Sequence, residues 1–169
     1  KGPAFYKQKR IGLRGRIFEA YKFRTMVLNA EASLDEVRVL ENKTEAFFKA
    51  KNDPRVTSVG RYLRRFSLDE FPPLFNVLLG EMSLVGPRPL ATTTGEMQKL
   101  LDQFGSTAKK RLNILPGITG LWQVSGRSDI SSDQRFALDM YYIEHWSLGL
   151  DLSIVLKTLP AMLSARGAY

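Results

Sequence analysis

Proline and glycine break this chain at a few sharply marked places. Asp53-Pro54, Phe71-Pro72-Pro73, Gly86-Pro87-Arg88-Pro89 and Leu115-Pro116-Gly117 recur along its 169 residues. A proline turns the residue before it away from the α conformation and cannot donate to a helix ladder. Regular elements are therefore expected to end or kink at these places, and the length is that of one domain with a real core. No repeat, low-complexity tract or second domain is visible, so residues 1–169 are read as one unit.

Between the breaks, periodicity assigns the elements. Phe5–Ile11 and Arg16–Phe23, either side of a Gly12-to-Gly15 turn, read as a β-hairpin. Helical spacing is expected over about Ala30–Ala50. A second helix from about Ser58 carries Val59, Tyr62, Leu63 and Phe66 as a buried stripe, with Arg61, Arg64 and Arg65 together on another face. A short apolar helix fits Pro72 to Leu79 with Gly80 as its stop. Met97, Leu100, Leu101 and Phe104 mark a fourth helix, and Lys109-Lys110-Arg111 reads as a solvated basic run. Leu115–Arg127 reads as a long glycine-punctuated loop of the kind that holds ligands. Two last helices follow. The first is capped by Ser131 or Ser132 and carries Phe136, Met140 and Ile143; the second spans about Asp151–Ala165. His145 between them reads as structural. The fold class is α+β and helix-rich: a compact domain with an N-terminal hairpin and packed amphipathic helices.

Charge and residue inventory narrow the chemistry. Lys and Arg number 25 against 17 Asp and Glu, a net charge of +8, and residues 1–24 alone hold eight basic residues and one acid. An anionic partner is implied: nucleic acid, lipid headgroups or a phosphorylated substrate. There is no cysteine and one histidine, which excludes disulfides, thiolate metal sites and a Cys nucleophile and disfavours a His-based triad. What remains is an adjacent carboxylate pair, Asp69-Glu70, just ahead of a helix start, and arginines on stiff elements. Acids at such a place are commonly plain caps. Carboxylates also bind Mg²⁺ or attack phosphorus, and arginines neutralise a transferring phosphoryl group. There is no Walker A or Rossmann glycine pattern, so the residues point to phosphoryl transfer from a diphosphate.

Five segments, in order, add to this reading. Lys22-Phe23-Arg24-Thr25-Met26, Ser67-Leu68-Asp69-Glu70-Phe71-Pro72, Gly86-Pro87-Arg88-Pro89, Pro116-Gly117-Ile118-Thr119-Gly120 and Leu138-Asp139-Met140-Tyr141-Tyr142 resemble the motif series of the bacterial sugar transferases, the monotopic polyprenyl-phosphate phosphoglycosyl transferases. The resemblance implies transfer of a sugar-1-phosphate from a UDP-sugar to undecaprenyl phosphate with release of UMP and use of Mg²⁺. That reaction opens exopolysaccharide, O-antigen or glycan assembly at the cytoplasmic face of the bacterial inner membrane. It makes Asp69 the nucleophile that takes up the phospho-sugar and Glu70 its assistant, both available to the metal. Arg64 and Arg88 become phosphate contacts, Arg127 a contact on the UDP-sugar side, and Lys22 part of the family's basic element. An anionic membrane surface is an expected partner, nucleic acid is not, and a homo-oligomer is allowed. The family's re-entrant membrane helix is expected before the hairpin, and this chain starts after that place. The most apolar stretch, Leu148–Leu163, is broken by Asp151, Lys157 and Pro160 and falls short of the roughly 20 apolar residues of a span. Two other readings stand beside this one: a basic module binding anionic membrane or nucleic acid, and a non-catalytic scaffold of glycan assembly.

Overall fold

In the computed structural model the described residues are 2–30, 32, 53–66, 68–126 and 129–163. The helix expected over Ala30–Ala50 lies almost wholly outside them. The hairpin forms as β1 (Phe5–Ile11) and β2 (Ile17–Phe23), antiparallel, with Phe5 opposite Phe23 and Ile11 opposite Ile17. Its turn is one 3₁₀ turn over Leu13–Gly15, in which Arg14 and Gly15 both take left-handed backbone, with φ of 54° and 76°. Only the glycine does so without a Cβ penalty. Phe18 and Ala20 face inward from β2 and pack with Met82.

Helix α1 (Ser58–Arg65) begins at Thr57, whose Oγ1 accepts the Gly60 N–H at 3.0 Å. Its expected buried stripe is corrected: Val59 is 69% exposed and Tyr62 is exposed as well, while Leu63 and Phe66 are half-buried. The reason is Gly60. A Cβ there would lie 1.9 Å from the Thr25 carbonyl oxygen, so the helix seats on backbone through its glycine and turns that face, with Arg64 one turn on, toward the hairpin. After α1 a 3₁₀ turn spans Leu68–Glu70, and α2 (Leu74–Leu78) follows with Gly80 at φ 74° behind it. The apolar helix expected over Pro72–Leu79 forms in shortened form, with most of its apolar side chains outward. Leu74, Phe75 and Leu78 are exposed, Leu78 at 83%, whereas Asn76 is fully buried.

Strand β3 (Ser83–Val85) leads through the Gly86–Pro89 loop to β4 (Leu90–Ala91), which pairs with β1 to complete a sheet of order β2-β1-β4. Helix α3 (Glu96–Phe104) ends at Gly105, φ 61°, and runs on as 3₁₀ turns over Gly105–Asn113. The segment read as a ligand-holding loop instead contains β5 (Gly117–Thr119), parallel to β3, and α4 (Leu121–Ser125). Gly86 and Gly117 let those strands touch: a Cβ on Gly117 would sit 2.1 Å from the Gly86 nitrogen. Trp122 is core, with the Arg135 guanidinium 5.2 Å from its ring centroid.

Helix α5 (Ser132–Glu144) opens on a full capping box between Ser131 and Gln134. Phe136 and Met140 pack with Leu90, Leu100 and Ala108, and the Phe104 and Phe136 rings stack at 3.9 Å. Burying a side chain like Leu100 completely contributes about 1.5–3 kcal/mol, so this cluster holds α3 and α5 together. Helix α6 (Leu148–Leu163) includes Pro160 and docks through Ile154 onto Val85 and Tyr142. Tyr142 Oη donates to Asp151 Oδ1 at 2.8 Å, tying α5 to α6; burial, then the Asp151 carboxylate, push the phenol pKa upward. Leu152, Leu156 and Leu159 stay exposed along α6. Among the described residues no helix is long and apolar enough to cross a membrane. The exposed His145 stacks on Tyr141 and meets its carbonyl at 3.0 Å, a structural placement.

Candidate active site

Asp69 lies in the 3₁₀ turn between α1 and α2, and the chain is brought there from both sides by polar anchors. On one side, the hairpin's end is fastened to α1 through Thr25. Its carbonyl accepts the Thr57 N–H at 3.0 Å and the Thr57 hydroxyl at 3.2 Å, and its own Oγ1 accepts Arg64 Nε at 3.0 Å. On the other side, Asn76 fastens α2 to β2. Its Oδ1 accepts the Tyr21 N–H at 3.1 Å, while Nδ2 donates to the Glu19 carbonyl at 2.8 Å and to Glu81 Oε2 at 2.7 Å. The turn carrying Asp69 is thus suspended between two clamps on one hairpin.

Arg64, Asp69 and Arg88 share an electrostatic neighbourhood. Burial lowers the pKa of the Arg64 guanidinium; the Asp69 and Asp53 carboxylates oppose this, and the positive charges of Arg55 and Arg88 add to it. Asp53 and Arg55 form a fork beside them. Asp53 Oδ1 accepts Arg55 Nε at 2.8 Å and Oδ2 accepts Nη2 at 2.6 Å, while Nη1 donates to the Ala30 carbonyl at 2.7 Å. Burial favours the neutral Asp53 acid, but the Arg55 bonds and the Arg55 and Arg64 charges outweigh it and hold the carboxyl below its ordinary range. With the Arg55 charge matched by Asp53, Arg64 and Arg88 lie near enough to repel one another, and an anion between them would be favoured.

Arg88 also lines a small, shallow cleft with Arg10, Lys22, Met82, Gly117 and Ile118. The structure therefore brings Lys22 and Arg88 to one cleft, while Asp69 and Arg88 each act electrostatically on Arg64. Arg61 and Arg65, expected beside Arg64, are exposed. Arg127 and the Glu70 side chain lie outside the described residues. Helix α2 is five residues long and begins past Pro72 and Pro73, so its N-terminus stands further from Asp69 than a direct cap.

Several residues escaped the reading of the sequence. Asn76 is one, although a lone amide in Leu74-Phe75-Asn76-Val77-Leu78-Leu79 was a signal. Arg111 is another, and corrects the reading of its run as solvated. It is buried, its Nη2 lying 3.0 Å from Asp139 Oδ2 and donating to the Arg88 carbonyl at 2.9 Å. Asp139, 1% exposed, has its pKa raised to about 6, because burial outweighs the attraction of Arg111. Lys110, by contrast, is exposed and meets Glu144 at 2.8 Å.

Comparison with known proteins bears on what this arrangement does. Residues 1–165 match a family model described as bacterial sugar transferase. The chain is 45% identical over 172 residues to the undecaprenyl-phosphate galactose phosphotransferase of Salmonella typhimurium, covering 99% of this chain and 35% of that protein. It is 46% identical over 172 residues to the exopolysaccharide production protein ExoY of Rhizobium meliloti, covering 99% and 74%. It is 39% identical over 176 residues to the undecaprenyl-phosphate glucose phosphotransferase of Komagataeibacter xylinus, covering 100% and 31%. The chain spans about a third of the length of the two phosphotransferases.

Proposed function

Because the chain belongs to the bacterial sugar transferase family, we propose that it transfers a hexose-1-phosphate from a UDP-sugar to undecaprenyl phosphate, releasing UMP, as the opening membrane step of exopolysaccharide or related glycan assembly. The hexose class follows relatives named for galactose and for glucose. The observation that carries the reading beyond the family is the Arg64 guanidinium, held by Thr25 and attracted by the Asp69 carboxylate, with Arg88 near enough to act on it. A carboxylate flanked by fixed cations is what attack on a diphosphate requires, since the incoming and resident negative charges must be neutralised together.

In this reading the Asp69 carboxylate attacks the sugar-bearing phosphorus. The bond from that phosphorus to the bridging oxygen breaks, UMP leaves with the electron pair, and a phospho-sugar is held on Asp69 as an acyl phosphate. A phosphate oxygen of undecaprenyl phosphate then attacks the same phosphorus and frees the carboxylate. Arg64, held at Nε by Thr25, and Arg88 stabilise charge on the transferring group, and Lys22 binds at the cleft. Arg127 attends the UDP-sugar. Among the described residues no three His, Asp or Glu side chains are grouped to hold a metal alone. The donors proposed for Mg²⁺ are Asp69 and Glu70, since this ion commonly uses one or two carboxylates alongside phosphate and water. Bound there, Mg²⁺ would neutralise diphosphate charge. Glu70 assists the metal or carries a proton.

The basic hairpin and the exposed leucines of α6 suit an anionic leaflet, each nearby Lys or Arg contributing about 1 kcal/mol. Mixing the protein with sugar-labelled UDP-hexose, Mg²⁺ and no lipid acceptor tests the route. About one UMP per active site, with label on Asp69, is expected. UMP release that strictly needs the lipid acceptor, with no labelled protein, would refute the covalent step.

A further inference from the structure

The loop that presents Arg88 is held by its carbonyl oxygens. Gly117 N–H donates to the Pro87 carbonyl at 2.9 Å. Arg111 Nη2 donates to the Arg88 carbonyl at 2.9 Å, and Arg10 Nη1 to the Pro89 carbonyl at 2.7 Å. The Val85 carbonyl just before the loop lies 3.3 Å from Tyr142 Oη, whose proton goes to Asp151. Pro87 and Pro89 have no N–H to pair and a fixed φ. Two of these donors are buried guanidiniums, and each is backed by a carboxylate from a different helix. Arg111 lies against Asp139 on α5 at 3.0 Å, and Arg10 lies 3.9 Å from Glu96 on α3. Glu96 Oε2 also accepts the Ala91 N–H at 2.8 Å, just past the loop.

Buried ion pairs give little net stability, because desolvation offsets most of their attraction. Two of them converging on consecutive carbonyls of one tetrapeptide are better explained by what they fix. Arg88 is half-buried, lines the cleft, and acts electrostatically on Arg64. We propose that Arg111 and Arg10, braced by Asp139 and Glu96, are positioning residues for Arg88: they lock the loop backbone so that the Arg88 guanidinium is held ready for the diphosphate. They act through the backbone and do not touch substrate themselves. The inference rests on the reading of Arg88 as a phosphate contact.

A mutant cycle on the full chain separates the two. UMP release from UDP-hexose with undecaprenyl phosphate is measured for Arg88→Ala, for the apolar pair Arg111→Met with Asp139→Leu, and for all three substitutions together. Urea unfolding is followed in parallel. Replacing a buried pair by apolar side chains of similar volume commonly preserves stability, so the paired variant should unfold at or above the native midpoint. Its kcat/KM should nevertheless fall about 10- to 100-fold, since a misplacement near 1 Å costs on that order. Arg88→Ala should fall about 10²- to 10³-fold, with the same division between kcat and KM for the UDP-sugar as the paired variant. The triple variant should be no worse than Arg88→Ala. A purely structural pair would lower kcat alone, through the active fraction, and its loss would multiply with that of Arg88→Ala. That result, or full activity in the folded paired variant, overturns the proposal. If Arg88→Ala itself is fully active, the reading of Arg88 as a phosphate contact fails first, and the positioning role fails with it. Should the paired variant not fold, Arg10→Lys runs the same cycle on the second brace, with the same expected non-additivity and the same overturning results.

Discussion

Replacing Asn76 by alanine removes three hydrogen bonds at once from a side chain that is 0% exposed. Two are to neutral backbone, the Tyr21 N–H and the Glu19 carbonyl, and one is to the Glu81 carboxylate. Neutral bonds contribute about 1 kcal/mol each and the charged one about 1.5–3 kcal/mol, and the partners left behind are themselves short of water. The expected loss is about 3–5 kcal/mol, a large part of the 5–15 kcal/mol typical of a whole domain. At about 2–4 °C per kcal/mol for a chain of this size, the melting temperature should fall by about 6–20 °C. Urea unfolding followed by circular dichroism gives the free energy directly. The control lies two positions on: Leu78 is 83% exposed, so Leu78→Ala should change stability by less than about 0.5 kcal/mol. Asn76→Asp should be worse than alanine at neutral pH, because a carboxylate would face both Glu81 and the Glu19 carbonyl, and should recover in part as acid protonates it. An alanine variant losing under about 1 kcal/mol, or a leucine variant losing as much as the asparagine, would refute the claim that the amide and not the apolar face seats α2.

Gly60→Ala must move α1 off Thr25 by about 1 Å to relieve a 1.9 Å approach, so stability should drop about 1–3 kcal/mol and UMP release about 100-fold; native activity would count against the seating of Arg64 by this contact. Asp139 binds its proton more tightly folded than unfolded, with a native pKa near 6. Its contribution is therefore complete below about pH 4 and is lost as pH rises through 6, by about 3 kcal/mol at 1.36 per unit. Asp139→Asn should abolish that slope in urea midpoints between pH 4 and 6, whatever its effect at any one pH, and a retained slope would assign it to another group. Asp53 runs the other way and loses its contribution only in stronger acid, as pH falls through its depressed value. Flotation with anionic vesicles should weaken with salt and with Leu156→Glu on α6, and binding indifferent to both would remove the membrane role of that face.

Much of the fold was legible because its signals are local. Alternating aromatics around Gly12–Gly15 fix a hairpin, Ser131 with Gln134 fixes a helix start, and Gly105 marks a helix end, all without distant partners. What could not be read is which way a face turns. Periodicity says that Val59 and Tyr62 share a side of α1, but the close approach of Gly60 to Thr25 decides that this side faces out. Likewise the apolar run Leu74–Leu79 does not show that Asn76 takes the interior position while Leu74, Phe75 and Leu78 face out. Helix α4 is too short to show a period, so its Trp122 read as part of a loop. Arg111 sits in a basic run whose counter-charge, Asp139, arrives on another helix. For the site, Lys22, Arg64 and Arg88 were picked out singly, and what the structure adds is that Arg88 both lines the cleft and acts electrostatically on Arg64.

The pairing of β1 has a consequence for the order of assembly. Its partner β2 is adjacent in the chain, but the Arg10 bond to Pro89 spans 79 residues, and the Arg88 loop also needs β5 and a carboxylate from α5. Contacts of such separation close late and slowly, since the loop entropy is lost before they form. Within this domain the hairpin pairs residues close in sequence, whereas the bracing of the Arg88 loop waits until Arg111 and Asp139 are in place. A partly folded domain can thus hold a paired hairpin while the loop that presents Arg88 is still unbraced.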